Sequence, residues 1–95
     1  MKQDIIIKAI PILKQHGVIK ASLFGSVVRN ESNESSDVDF LINPAQGTTL
    51  FDMVGMKNDL EHVLGRSVDL VTFKSIHPLL KDSILKDQEV FYEKR

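Results

Sequence analysis

The sequence predicts an α/β (α+β) fold in which helices pack on a mixed sheet of three or four strands. Segments with apolar residues at helical spacing alternate with short strand-like runs, which is the pattern of helices layered on a sheet. The 95 residues suffice for one domain, taken as residues 1–95, and are too few for two. A content of 42% hydrophobic and 26% charged residues is typical of an ordinary globular protein. The order of the strands stays open.

A first helix is predicted over residues 4–16. Its apolar positions at helical spacing are Ile6, Ile10 and Leu13, and Gly17 follows as a cap. Because Pro11 removes a backbone donor, this helix should either kink there or begin later.

Two strands and a turn should follow this helix. A strand over residues 18–24 ends at Gly25 and Ser26, and residues 27–30 could form a short helical turn. Residues 30–36 contain no apolar member and are expected to form an exposed loop. The second strand is predicted over residues 38–42.

The second half predicts two more helices and two more strands. Thr49 and Asp52 resemble a capping box before a helix that Gly65 ends. A third strand is predicted over residues 68–73, and Ser75 is the candidate cap of a last helix. Residues 90–92 could add a terminal strand.

Three carboxylates are the candidate chemical groups. Successive side chains of a strand point to opposite faces, so Asp37 and Asp39 should share one face. Asp69 interrupts an apolar run that should be substantially buried, where a carboxylate needs a partner. If the two strands are neighbours, each close pair of acids costs about 4 kcal/mol, which protonation or a cation would relieve.

The oxygen ligands predict a magnesium site. Hard oxygen donors with positions left for substrate phosphates suit Mg²⁺, with Mn²⁺ as a substitute. Two ions roughly 3.5 to 4 Å apart would clamp a phosphoryl displacement. Each acid could instead have a purely structural role. Asp37 and Asp39 could form a polar strand edge, and Asp69 could be an exposed edge-strand residue.

The turn after the first strand is a candidate phosphate site. Gly25 and Ser26 follow a strand and open a helical turn, so backbone N–H groups and the Ser26 hydroxyl could face a triphosphate. Arg29 lies one turn further on and could reach the same phosphates. Alone, these residues also fit a plain turn with a surface arginine.

The spacing of these features resembles the minimal nucleotidyltransferases of the DNA polymerase beta superfamily. The Gly25-Ser26 pair, ten residues and then Asp37-Val38-Asp39 match the family motif, and Asp69 matches its third carboxylate. Members often have Gly after the arginine, where this chain has Asn30.

The resemblance implies a role for each matched residue. By this similarity Gly25 and Ser26 bind the triphosphate of ATP or another NTP, and Asp37 and Asp39 hold both ions. Asp69 holds the catalytic ion and draws the acceptor proton. Members of this size resemble antitoxins encoded beside a HEPN-domain toxin, which implies transfer of AMP to a tyrosine of that partner.

Composition and charge argue against several other kinds of site and function. With no cysteine, neither a disulfide nor a thiolate metal site can form. A net charge of −1 argues against autonomous nucleic-acid binding and against an isolated piece of a polymerase. The sequence has no membrane span or secretory signal, so the cytoplasm is the expected location. The oligomeric state stays open.

A second function from a different class remains. A non-catalytic binding module with this fold would neutralise a partner protein by contact alone. The complete set of acids favours the enzyme, because a module without chemistry does not need crowded carboxylates in a sheet.

Overall fold

A computed structural model of the protein describes residues 2–29 and 37–94. Its helices and strands are, in chain order, α1 (Lys2–Gln15), β1 (Lys20–Phe24), β2 (Val38–Asn43), α2 (Leu50–Leu64), β3 (Val68–Thr72), α3 (Pro78–Asp87) and β4 (Glu89–Glu93). The described residues thus form a mixed sheet with helices packed on it, which confirms the predicted fold class.

The sheet has the strand order β3-β2-β1-β4, with β2 and β1 in the centre. β1 pairs antiparallel with β2 and with β4, whereas β3 runs parallel to β2. A parallel neighbour needs a long crossover, and α2 provides it. The parallel register places Asp39 directly opposite Asp69. The topology therefore brings two of the predicted acids together.

The core lies between the sheet and helices α1 and α2. In β2, Val38, Phe40 and Ile42 are fully buried in this core, so strand alternation turns Asp39 to the other face. Phe40 also packs edge-to-face on Phe91 of β4, with ring centroids 6.0 Å apart. The buried side chains of β2 thus fix the direction of its carboxylate.

Helix α1 differs from the prediction in its start and in its buried face. It begins at Lys2 and continues through Pro11, so a later start was wrong. Pro11 lies on the exposed side of the helix, where water can satisfy the carbonyl that it leaves without a donor. The buried residues are Ile5, Ala9 and Leu13 rather than the predicted stripe through Ile6 and Ile10.

Helix α2 begins and ends as predicted. Thr49 Oγ1 accepts from the Asp52 N–H and Asp52 Oδ2 accepts from the Thr49 N–H, which completes the capping box. At the other end Gly65 takes the left-handed conformation with φ of 65°.

The region between β3 and α3 corrects two predictions. β3 ends at Thr72 rather than at residue 73, and Ser75 caps a short 3₁₀ turn together with Thr72. The cap of α3 is His77, whose Nδ1 accepts from the Leu79 N–H. Pro78 explains the later start, because it favours the first helical position and keeps the preceding residue extended.

In place of the turn predicted over residues 27–30, a 3₁₀ turn at Gly25–Val27 continues into a turn at residues 28–29. Asn30 and the predicted loop lie outside the described residues. Across residues 2–29 and 37–94, no helix combines the length and the apolar character that a membrane crossing requires. The cytoplasmic location stays a prediction.

Candidate active site

Gly25 brings the end of β1 against the carboxylate of Asp39. Phe24, the last residue of β1, pairs with Asp39, and the chain then turns at Gly25 with φ of 77°. L-residues with side chains rarely adopt this conformation. A Cβ atom at this position would also overlap Asp39 Oδ2. Two separate constraints therefore require glycine at this position: the backbone conformation and the close approach of the carboxylate.

Asp39 and Asp69 form a coupled pair of acids across β2 and β3. Burial, the negative charge of Asp69 and a hydrogen bond between the two side chains raise the pKa of Asp39 to about 6. The charge of Asp37 raises it slightly further, and Arg29 acts in the opposite direction. Because two ionised carboxylates cannot hydrogen-bond to each other, this bond requires a proton on one of them.

Asp69 does not occupy the buried position expected from its apolar neighbours. It is exposed, because β3 is the outer strand of the sheet next to β2. The alternative of an exposed edge-strand residue is therefore right about its location. The register still sets it opposite Asp39, so exposure and proximity to the second acid occur together.

Asp37 is the least well placed of the three acids. It lies exposed just before β2, and its negative charge raises the pKa of Asp39. Within residues 2–29 and 37–94, no three His, Asp or Glu side chains are arranged as a group that could hold a metal ion. The structure thus assembles the pair Asp39 and Asp69, while the set of three acids stays a prediction.

Ser26 and Arg29 lie on the turn that follows Gly25. Ser26 is half-buried within the 3₁₀ turn Gly25–Val27, whose first N–H groups have no acceptor within the turn itself. The Arg29 N–H donates to the Gly25 carbonyl at 3.2 Å. Arg29 Nη1 lies 3.9 Å from Asp87 Oδ2, and both side chains are about half-exposed. The turn therefore offers donors and a positive charge on the side of Asp39.

A cleft of about 220 Å³ adjoins this turn. Gly25 and Arg29 line one side of it, and Ser83, Ile84 and Asp87 of α3 line the other. Sequence reasoning missed the α3 residues, because their position depends on how α3 lies against the end of β1. No local motif marks them.

The donor set of the acid pair fits a divalent cation. Asp39 and Asp69 present adjacent carboxylate oxygens, which are the ligands that hard cations prefer. Burial and, after it, the negative charge of Asp69 raise the pKa of Asp39, and a doubly charged ion would offset both effects. Together with the donors of the Gly25 turn, the site can bind an anionic phosphate beside two carboxylates.

A match to a family of known proteins agrees with this geometry. Residues 7–95 match the family described as polymerase beta, nucleotidyltransferase. The chain belongs to this family. Enzymes of this superfamily generally use divalent metal ions. The resemblance seen in the spacing of Gly25, Ser26, Asp37 and Asp39 is therefore confirmed at the level of the family.

Two individual relatives match this chain over most of its length. A protein of Methanocaldococcus jannaschii, provisionally named a protein adenylyltransferase, is 55% identical over 80 residues, which cover 84% of this chain and 86% of the relative. The protein adenylyltransferase MntA of Thermococcus cleftensis is 34% identical over 74 residues, covering 78% and 75%. These relatives are similar to the chain over most of its length.

A solved structure supports the fold. The tri-AMPylated HEPN toxin of Shewanella oneidensis in complex with its MNT antitoxin contains a chain that matches with a TM-score of 0.76. The match covers 99% of this chain and 74% of that one, at 21% identity. At this identity the match establishes the shared fold.

Asp39→Asn is expected to stabilise the metal-free protein above pH 6. The pKa of Asp39 is about 6 in the folded protein, whereas the ordinary pKa of an aspartate is 3.8. The folded state therefore binds the proton more tightly than the unfolded state. Stability is therefore lost as pH rises from about 4 to about 6. Asparagine removes this loss, which amounts to about 1 to 2 kcal/mol in the free energy of unfolding after solvent screening.

Thermal unfolding at two pH values in a chelating buffer measures this effect. The midpoint of the variant should exceed that of the wild type by roughly 5 to 10 °C at pH 8. The difference should nearly vanish at about pH 3, below both pKa values, where the Asp39 carboxyl is mostly protonated in the folded and the unfolded state. Asp82→Asn, which removes an exposed acid of α3, is the control for net charge. Equal midpoints at pH 8 would show that Asp39 is not strained by its neighbours.

Proposed function

We propose that this protein is a magnesium-dependent protein adenylyltransferase. It transfers AMP from ATP to a hydroxyl, that of a tyrosine, on a HEPN-domain toxin and thereby acts as its antitoxin. The observation that carries the proposal is the close approach of Gly25 to Asp39, which lies directly opposite Asp69 in the register of β2 and β3. This arrangement supports the proposal, because a turn with free backbone donors lies directly beside a pair of carboxylates.

The substrates follow from the relatives. Protein adenylyltransferase is the name given to the Thermococcus cleftensis relative, and provisionally to the one from Methanocaldococcus jannaschii. The Shewanella oneidensis complex pairs an MNT antitoxin with an AMPylated HEPN toxin. These names support ATP as the donor and a HEPN-domain protein as the acceptor.

The residues of the chain divide the work of the transfer. The N–H groups of the turn and the Ser26 hydroxyl hold the triphosphate, and Arg29 neutralises part of its charge. Asp37, Asp39 and Asp69 are the residues that would hold Mg²⁺, as two ions. When bound, these ions polarise the phosphate and lower the pKa of the acceptor hydroxyl.

The bonds that change are those at the α-phosphorus of ATP. The acceptor oxygen forms a bond to this phosphorus, the bond to the bridging oxygen of the β-phosphate breaks, and pyrophosphate leaves. Asp69 accepts the hydroxyl proton, because it is exposed on the outer strand where an acceptor can approach. The proton then passes to solvent.

Labelling with α-labelled ATP tests the proposal. The acceptor is the HEPN-domain protein expected from the reading frame beside that of this chain. Label should enter the acceptor only when Mg²⁺ is present, and mass spectrometry should locate AMP on a tyrosine. EDTA should abolish the transfer. Neutralisation of the toxin in EDTA without any AMP on it would instead support a module that acts by contact alone.

A further inference from the structure

A groove beside Asp69 has no role in the transfer described so far. It lies between α2 and β3, has a volume of about 410 Å³ and is open to solvent. The residues that matter for its chemistry are Leu50, Met53, Val54, Lys57, Asp69 and Leu70. Its walls are therefore mostly apolar, with one acid, one base and the hydroxyl groups of Thr72 and Ser75 among them.

The groove exposes apolar side chains that the fold does not require on its surface. Leu50 is 80% exposed and Val54 51% exposed, although both belong to the first two turns of α2. A contiguous apolar patch that ends at a functional residue marks a contact surface. Here that residue is Asp69, which takes the acceptor proton in the proposed reaction.

We propose that this groove docks the acceptor protein, through a segment that carries an apolar side chain and a carboxylate beside the hydroxyl to be modified. This inference rests on the proposed adenylyltransferase function. Leu50 and Val54 contact the apolar side chain, and Lys57 pairs with the carboxylate. The hydroxyl then reaches Asp69 from the outer side of the sheet.

The outer edge of β3 favours recognition of side chains over addition of a strand. The Val68 N–H donates to Glu61 Oε2 at 2.9 Å, and the Thr72 N–H donates to Ser75 Oγ at 3.3 Å. Strand addition needs a row of open backbone groups. Because both ends of β3 already donate to side chains, the groove is suited to side chains of a partner.

The position of the groove also separates its occupant from the nucleotide. The turn at Gly25 and the cleft against α3 lie on the β1 side of Asp39, whereas the groove lies on the β3 side. In an in-line displacement at phosphorus, the acceptor oxygen enters opposite the leaving pyrophosphate. The two openings flank the acid pair in this way. A second copy of the chain in the groove would obstruct Asp69.

Variants of the groove test the proposal with the same HEPN-domain protein as the probe. The variants are the double change Leu50→Ser/Val54→Ser and the charge reversal Lys57→Glu. Each should raise the KM for the acceptor about tenfold or more, as expected for contacts near the centre of an interface. The KM for ATP should change less than twofold. Phe51→Ser is the matched control.

Phe51 suits this purpose because it neighbours Leu50 on α2, is 89% exposed and does not line the groove. Titration calorimetry without nucleotide gives the affinity for the acceptor independently of chemistry. Unchanged acceptor KM and affinity in the groove variants would overturn the proposal. So would an equal rise in both KM values, or an equal effect of Phe51→Ser.

Two further outcomes separate the docking proposal from others. Light scattering would reveal a groove used between copies, if the variants dissociate a dimer while their acceptor KM is unchanged. That result would overturn the proposal. A wild-type protein that transfers no AMP would refute the adenylyltransferase function itself. The affinity for the acceptor would then show whether the groove still binds it.

Discussion

Asp39→Asn is expected to lower AMP transfer at least about a thousandfold. Asp39 contacts Gly25 on one side and lies opposite Asp69 on the other, so it connects the turn that we propose binds phosphate to the second acid. A bound cation supplies several kcal/mol of transition-state stabilisation, and each 1.4 kcal/mol corresponds to about a factor of ten. Loss of Asp39 as a metal ligand should remove most of this stabilisation. Single-turnover labelling at saturating ATP measures the change.

Stability provides the internal control for this variant. Asp39→Asn is expected to fold better than the wild type at pH 8 without metal, so a loss of activity cannot be assigned to unfolding. Asp82→Asn changes the net charge equally and should keep full activity. Transfer that persists at more than a tenth of the wild-type rate in Asp39→Asn would contradict the assignment of Asp39 as a ligand.

The sequence was sufficient to predict the faces of the strands near the site. Alternation along β2 requires that Asp39 point away from the face that holds Val38 and Phe40, and those two residues are buried as this requires. The spacing of Gly25 and Asp39 then indicated the family. These features are local, because each depends on a few consecutive residues.

The environment of Asp69 could not be predicted in the same way. An apolar run such as residues 68–73 suits both a buried central strand and an edge strand that is covered on one face. Only the crossover through α2, which sets β3 outside β2, decides between them. The acid was therefore expected to be buried and is instead exposed, although its partner Asp39 was anticipated if the strands were neighbours.

Ambiguity in the sequence explains the shift in α1. Ile5, Ile6 and Ile7 are consecutive, so helical spacing permits more than one buried face. Packing against α2 selects the face with Ile5, Ala9 and Leu13, and leaves Ile7 66% exposed. The residues of α3 that line the cleft, such as Ser83 and Asp87, were missed for a similar reason, since tertiary packing alone brings them to Gly25.

Gly25→Ala is expected to lower AMP transfer at least about a hundredfold. The new Cβ would overlap Asp39 Oδ2, so the carboxylate must move away from the turn. A displacement of about 1 Å in a catalytic group can reduce a rate about a hundredfold. The positive φ of 77° adds a strain of about 1 to 2 kcal/mol to the folded state. Labelling and thermal unfolding together measure both effects.

Gly47→Ala separates the strain from the overlap. Gly47 has a φ of 88°, and no heavy atom lies within 4 Å of a Cβ built there. Alanine at this position should therefore cause the backbone strain alone, destabilise the fold by about 1 to 2 kcal/mol and leave AMP transfer intact. If the two variants lose activity to the same extent, the contact between Gly25 and Asp39 has no special part in the reaction. If only Gly25→Ala is inactive, the turn and the acid act as one site.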